Sequence, residues 1–288
     1  MSSEGGRVQT AVLARSRVGE GPVWHEGRLH WVDILAGQIN VSDLEDGSTT
    51  TLTVPTWVGA AVPMAAGYVA ATREGYAQVL DGTLVDVDPF LPAGIRMNDG
   101  KCDPMGRFWA GSCAENFARG AGSLHRLNAD WSRTTVLEGL TQPNGLGWSP
   151  DGATFYLVDT QDLAVYAYPY DSDTGALGGR HLLARFDDER LGYPDGLAVD
   201  AEGCLWVAMW GGSMLLRISS QGEVVRRLTM PVLQPTSCAF AGPDLANLCV
   251  TSAAEGLHLS AADLDGSVFM VADLDVRGAP VETFAGSA

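Results

Sequence analysis

Four polar side chains occupy the same point of a recurring pattern: Glu20, Asn98 (with Asp99 beside it), Asn144 and Asp195. Each opens a short apolar stretch and stands about eleven residues ahead of an aromatic residue, namely Trp31, Trp109, Tyr156 and Trp206. Two acids and two amides are oxygen donors. Carboxylates brought close together repel, and one is forced to hold a proton unless a cation lies between them. Oxygen donors of this kind suit Ca²⁺, Mg²⁺ or Mn²⁺, with water in the open positions. Three protein ligands plus water is also the arrangement of a catalytic metal site rather than a closed structural one. Asn144-Gly145 and Asp195-Gly196 are equally common as plain turn dipeptides. Glu20 favours the metal, because glutamate is a poor turn former.

The elements that carry these residues read as β-hairpins. Short alternating runs rich in β-branched and aromatic residues are divided by Gly and Asp turns, such as Glu45-Asp-Gly-Ser48. Two weaker copies, Trp57 to Tyr68 and Ser237 to Cys249, complete a series of six. The second-strand anchors Trp31, Tyr68, Trp109, Tyr156, Trp206 and Cys249 advance by about 40 to 50 residues, the period of propeller blades. No stretch holds helical periodicity over three turns. The expectation is an all-β, six-bladed β-propeller forming one domain over residues 1–288, with the hairpin-opening residues on a ring in the central channel. Ring closure calls for one terminus to add a strand to the last blade, which places Gln9 to Arg15 beside Val281 to Phe284.

Composition narrows the function. A net charge of −17 argues against nucleic acid, whose phosphates need Lys and Arg, and against an anionic membrane surface. The five cysteines, Cys102, Cys113, Cys204, Cys238 and Cys249, form no C-x-x-C pair, and most sit in apolar runs where a thiol packs as a small hydrophobe. Met1 to Glu20 has no apolar signal core, and the longest apolar run, Trp57 to Ala71, is too short for a membrane helix. A cytoplasmic protein is expected. His25-Glu26 and His30 miss the H-E-x-x-H spacing by one, and no G-x-S-x-G elbow, P-loop or Rossmann glycine pattern occurs. Trp24, Trp31, Trp109, Trp148 and Trp206 read as blade packing rather than a sugar platform.

Six segments in order resemble one family: Gly19-Glu-Gly-Pro-Val-Trp24, Arg96-Met-Asn-Asp-Gly-Lys101, Asp103-Pro-Met-Gly-Arg-Phe-Trp-Ala-Gly111, Pro143-Asn-Gly-Leu146, Pro194-Asp-Gly196 and Thr236-Ser-Cys-Ala-Phe240. They resemble the family of senescence marker protein (regucalcin), gluconolactonase and luciferin-regenerating enzyme, over about the whole chain. The resemblance implies a six-bladed propeller with one divalent cation in its channel, Ca²⁺ foremost and Mg²⁺, Mn²⁺, Zn²⁺ or Fe²⁺ as alternatives. It implies Glu20, Asn144 and Asp195 as ligands, with Arg96 and Asn98 on the substrate. Animal members carry two successive glutamates where this chain has Glu115-Asn116, which leaves Glu115 as the remaining substrate-binding candidate there. Trp210-Gly-Gly is similar to bacterial pentonolactonase members. The implied activity is hydrolysis of a sugar lactone, with the metal polarising the carbonyl and Asp195 also accepting a proton from water. The alternatives are a non-catalytic calcium-binding or scaffold propeller, and a metal-dependent hydrolase of other esters or phosphotriesters.

Overall fold

The computed structural model describes residues 6–260 and 262–286. Six antiparallel sheets form the blades; five are meanders in chain order, and the sixth takes its outermost strand from the N-terminus. The first strand of each blade is the inner one: Gly19–His25, Val58–Pro63, Ile95–Cys102, Pro143–Trp148, Tyr193–Val199 and Pro235–Ala241. These inner strands pack against one another around the axis in blade order, and the sixth returns to the first. Blade four carries a fifth short strand, Ala176–Leu177, on the outer side of Ala164–Asp171. Helix is confined to two 3₁₀ turns among the described residues, Thr160–Asp162 and Glu189–Leu191.

The core lies between blades. Trp109 and Trp206 are fully buried, Trp31 and Trp148 nearly so, and Val, Leu and Phe side chains from adjacent sheets interleave with them. Each such aliphatic or phenyl side chain contributes about 1.5–3 kcal/mol on burial. The tryptophans therefore pack blades, as their apolar surroundings in the sequence require. The five cysteines are unpaired, and Cys204 alone among them is not fully buried.

Closure differs from the sequence expectation. The N-terminal strand, Arg7–Val12, does complete blade six, but it pairs with Val268–Ala272 rather than with residues 281–284. Val268–Ala272 is buried on both faces as a blade strand, with every residue but Met270 buried. The segment from Arg277 to Ala285 instead crosses one mouth of the channel. It bonds Val199, Ala201 and Leu245 at one end and Pro63 and Gly106 at the other. Buried Phe284 anchors it against Trp131 and the core of blades two and three. Beneath it lies a cavity of about 270 Å³, lined in part by Trp24, Lys101, Trp148, Phe240 and Pro280.

Candidate active site

A register shift interrupts every inner strand at the same height: between Glu20 and Val23, Val58 and Ala60, Met97 and Gly100, Pro143 and Leu146, Pro194 and Leu197, and Pro235 and Ser237. A bulge bends the strand and re-aims side chains. Here it takes in Asn98, Asp99, Asn144 and Asp195 and begins directly after Glu20. Crowding near the axis accounts for the glycines after Asn144 and Asp195, whereas Gly21, after Glu20, has room for a Cβ and is required by its φ of 54°. A Cβ on Gly145 would lie 2.5 Å from Leu197 N, and one on Gly196 would collide with the Ser237 side chain. The Asn-Gly and Asp-Gly pairs are thus strand residues at blade contacts, not turns.

Glu20, Asp99 and Asp195 are 4%, 5% and 6% exposed. Burial, then the charge of Asp195, then that of Asp99 push Glu20 well above the usual carboxylate range. Burial and the Asp99 charge do the same to Asp195, against the opposing pull of Asn144 and Arg96. Burial raises Asp99. The three acids thus share one field. Asn144 Nδ2 donates to Asp195 Oδ1 and, at 3.1 Å, to Thr160 Oγ1. Both of those atoms accept, so the amide oxygen of Asn144 faces away from them.

Arg96 Nη1 donates to Asn98 Oδ1 at 2.7 Å and to Met97 O at 2.9 Å, while Asn98 Nδ2 donates to Pro143 O at 3.0 Å. The pair is therefore oriented by its own bonds. Glu115 stands apart from it. Its carboxylate accepts from Arg73 Nε at 2.7 Å, and the guanidinium of Arg73 lies 4.7 Å from the centre of the Trp57 ring. Asn116 Oδ1 turns back to accept from Ala118 N at 3.1 Å. Among the described residues no hydrogen bond links Glu115 to Arg96 or Asn98.

The donor set decides what could bind. Glu20, Asn144 and Asp195 offer hard oxygens, and neither imidazole nor thiolate is among them. Among the described residues no group of three or more His, Cys, Asp or Glu side chains forms a metal cluster. The third donor of the candidate trio is an amide, which such a grouping does not include. The like charges at the trio are the kind that a dication would stabilise. Lys101, half-buried on the inner strand that carries Asp99, donates to Leu197 O at 2.7 Å and feels both Asp99 and Glu20. It also lines the cavity at the strapped mouth, whose lining does not include Glu20, Asn144 or Asp195, so that cavity is not the candidate site. Lys101 and Thr160 lay outside the sequence reading. Lys101 has a signal in hindsight, as the first charge after Asp99-Gly100. Thr160 has none, since it reaches the site from the 3₁₀ turn that follows the second strand of blade four.

The family described as SMP-30/Gluconolactonase/LRE-like region matches residues 18–254. The chain belongs to that family. It is 38% identical to a 6-deoxy-6-sulfogluconolactonase of Pseudomonas putida, over 97% of this chain and 99% of that protein. It is 35% identical to a pentonolactonase of Haloferax volcanii, over 95% and 96% of the two chains. Among solved structures, a calcium-binding regucalcin of Agrobacterium tumefaciens superposes with a TM-score of 0.89 at 29% identity, covering 97% of this chain and 98% of the other. Among the described residues no helix is long and apolar enough to cross a membrane.

Proposed function

We propose that the protein hydrolyses a sugar lactone to its aldonic acid at one divalent cation held by Glu20, Asn144 and Asp195. The activity class rests on the family, whose named relatives here act on a sulfogluconolactone and on pentonolactones. One observation supports the metal: the charge of buried Asp195 raises buried Glu20 and that of Asp99 raises both, while the bulges bring them to one height of the channel. When bound, the cation supplies polarisation of the lactone carbonyl and a lowered pKa for water.

The remaining chemistry belongs to the side chains. Arg96 and Asn98, locked together, hold the ring oxygen and hydroxyls and so lower the entropic cost of the reacting geometry. Asp195 Oδ2, the oxygen that Asn144 does not bond, accepts the proton of the attacking water. Burial of the three acids strengthens every one of these interactions, since few waters compete there. Hard ions are expected in the order that oxygen ligands favour, with Ca²⁺, Mg²⁺ and Mn²⁺ ahead of Zn²⁺ and Fe²⁺.

The test is a pH-stat assay of metal-stripped protein, crossing a panel of aldonolactones with these five ions. Hydrolysis restored by at least one hard ion is the expected result. Hydrolysis by the stripped protein alone, or by none of the pairings, contradicts the proposal.

A further inference from the structure

Each candidate ligand is preceded in the chain by a carbonyl that a side chain from elsewhere in the ring grips. Asn98 Nδ2 donates to Pro143 O, ahead of Asn144. Thr160 Oγ1 donates to Pro194 O at 2.8 Å, ahead of Asp195. Thr236 Oγ1 donates to Gly19 O at 2.5 Å, ahead of Glu20. Thr160 and Thr236 are 5% and 0% exposed. In each case the grip crosses from one blade to the next.

A threonine has one hydroxyl proton. That of Thr160 goes to Pro194 O, so its oxygen can only accept from Asn144 Nδ2. This fixes the Asn144 amide with nitrogen toward Thr160 and Asp195, and leaves Oδ1 as the atom presented to a hard cation. Thr160 is itself held. Its own N–H donates to Gln142 O at 3.1 Å, and the Asp159 carboxylate accepts from Thr141 N and Gln142 N. The proton of Thr236 goes to Gly19 O, so its oxygen accepts from Thr251 at 2.8 Å.

We infer that Thr160 and Thr236 are positioning residues of the ligand set, acting through the backbone carbonyls before Asp195 and Glu20 and, for Thr160, through the Asn144 amide. The inference rests on the cation site proposed above. Outer partners of metal ligands commonly affect affinity about 10–100-fold.

The experiment is calorimetric titration of Ca²⁺ into metal-free variants, with the thermal midpoint of each metal-free protein measured alongside. Thr160→Val and Thr236→Val should weaken Ca²⁺ at least about tenfold. Thr160→Ser and Thr236→Ser, which keep the hydroxyl, should stay within about threefold of wild type. Thr160→Ala and Thr236→Ala remove the hydroxyl without adding bulk, and supply the same reading where a valine variant does not fold. Thr51→Val breaks a hydrogen bond to Asn40 in the outer part of blade one. It should lower the midpoint and leave affinity unchanged, which separates positioning from general stability. Wild-type affinity in the hydroxyl-free variants, or equal loss in the serine variants, overturns the inference. Wild-type affinity in Asp195→Asn would instead overturn the site reading beneath it.

Discussion

Glu20, Asp99 and Asp195 are costly residues in the metal-free protein, because each is buried, Asp195 and Asp99 act on Glu20, and Asp99 acts on Asp195. Neutral isosteres remove that cost and the proposed ligand together. Glu20→Gln and Asp195→Asn should each lower lactone kcat/KM by more than about a hundredfold, on the scale of losing one transition-state contact. The metal-free midpoint should hold or rise, the usual opposition of stability and activity. Retained activity with either change would remove that residue from the site. A second effect at this scale concerns histidine. His30 and His125 are both lowered from 6.5 to about 4, chiefly by burial, with the charges of His25 and Arg133 respectively adding to it. His30 Nδ1 bonds the Tyr68 hydroxyl, and His125 bonds Ser112 and Thr135. A depressed histidine makes the fold favour the neutral ring. That stability is full above about 6.5, is lost as pH falls toward 4, and is gone below it. His125→Gln should flatten the midpoint-versus-pH curve in that window, and an unchanged slope would count against the assignment.

The hairpins were legible because their chemistry is local. Alternation, turn glycines and the regular aromatic anchors all lie within a few residues of what they specify, so Glu20, Asn98, Asn144 and Asp195 could be picked out as equivalent. The bulges were not legible, since they arise from neighbouring inner strands converging on the axis. Nor was the Asp-to-Trp brace. Asp103 accepts from Trp109 Nε1 at 2.9 Å, Tyr170 and Arg107, and Asp200 accepts from Trp206 Nε1 at 3.1 Å and Arg217 at 2.8 Å. In both, a fully buried carboxylate ties the turn between the first two strands to the tryptophan of the second. Asp200→Ala should cost about 3–5 kcal/mol, the scale of stranding a buried charge, read as a lowered denaturant midpoint. A loss under about 1 kcal/mol would mean that water replaces the bonds. Gly196→Ala should be worse for function than for an outer strand, because its methyl displaces Ser237 beside Asp195.

The ring as a whole is closed by two devices of different legibility. The sequence expectation that the N-terminus completes the last blade holds, and its partner was misplaced because residues 281–284 are apolar enough to resemble a strand. They serve instead in the segment that straps one mouth, where Phe284 fills a core pocket. Removing residues 1–12 should expose the edge of Val268–Ala272 and lower the midpoint with aggregation, since an unpaired edge templates pairing between chains. Phe284→Ala should cost about 3–5 kcal/mol by the cavity it leaves, with little change in KM, because the strap lies at the mouth away from the carboxylates. Everything proposed about catalysis depends on circular geometry collecting residues from blades one, four and five. Anomalous diffraction from crystals soaked in Mn²⁺ tests that most directly. The account predicts one peak on the axis, about 2.0–2.6 Å from a Glu20 carboxylate oxygen, Asn144 Oδ1 and an Asp195 carboxylate oxygen. A fully active crystal with its only peak elsewhere, or with no peak, would contradict it.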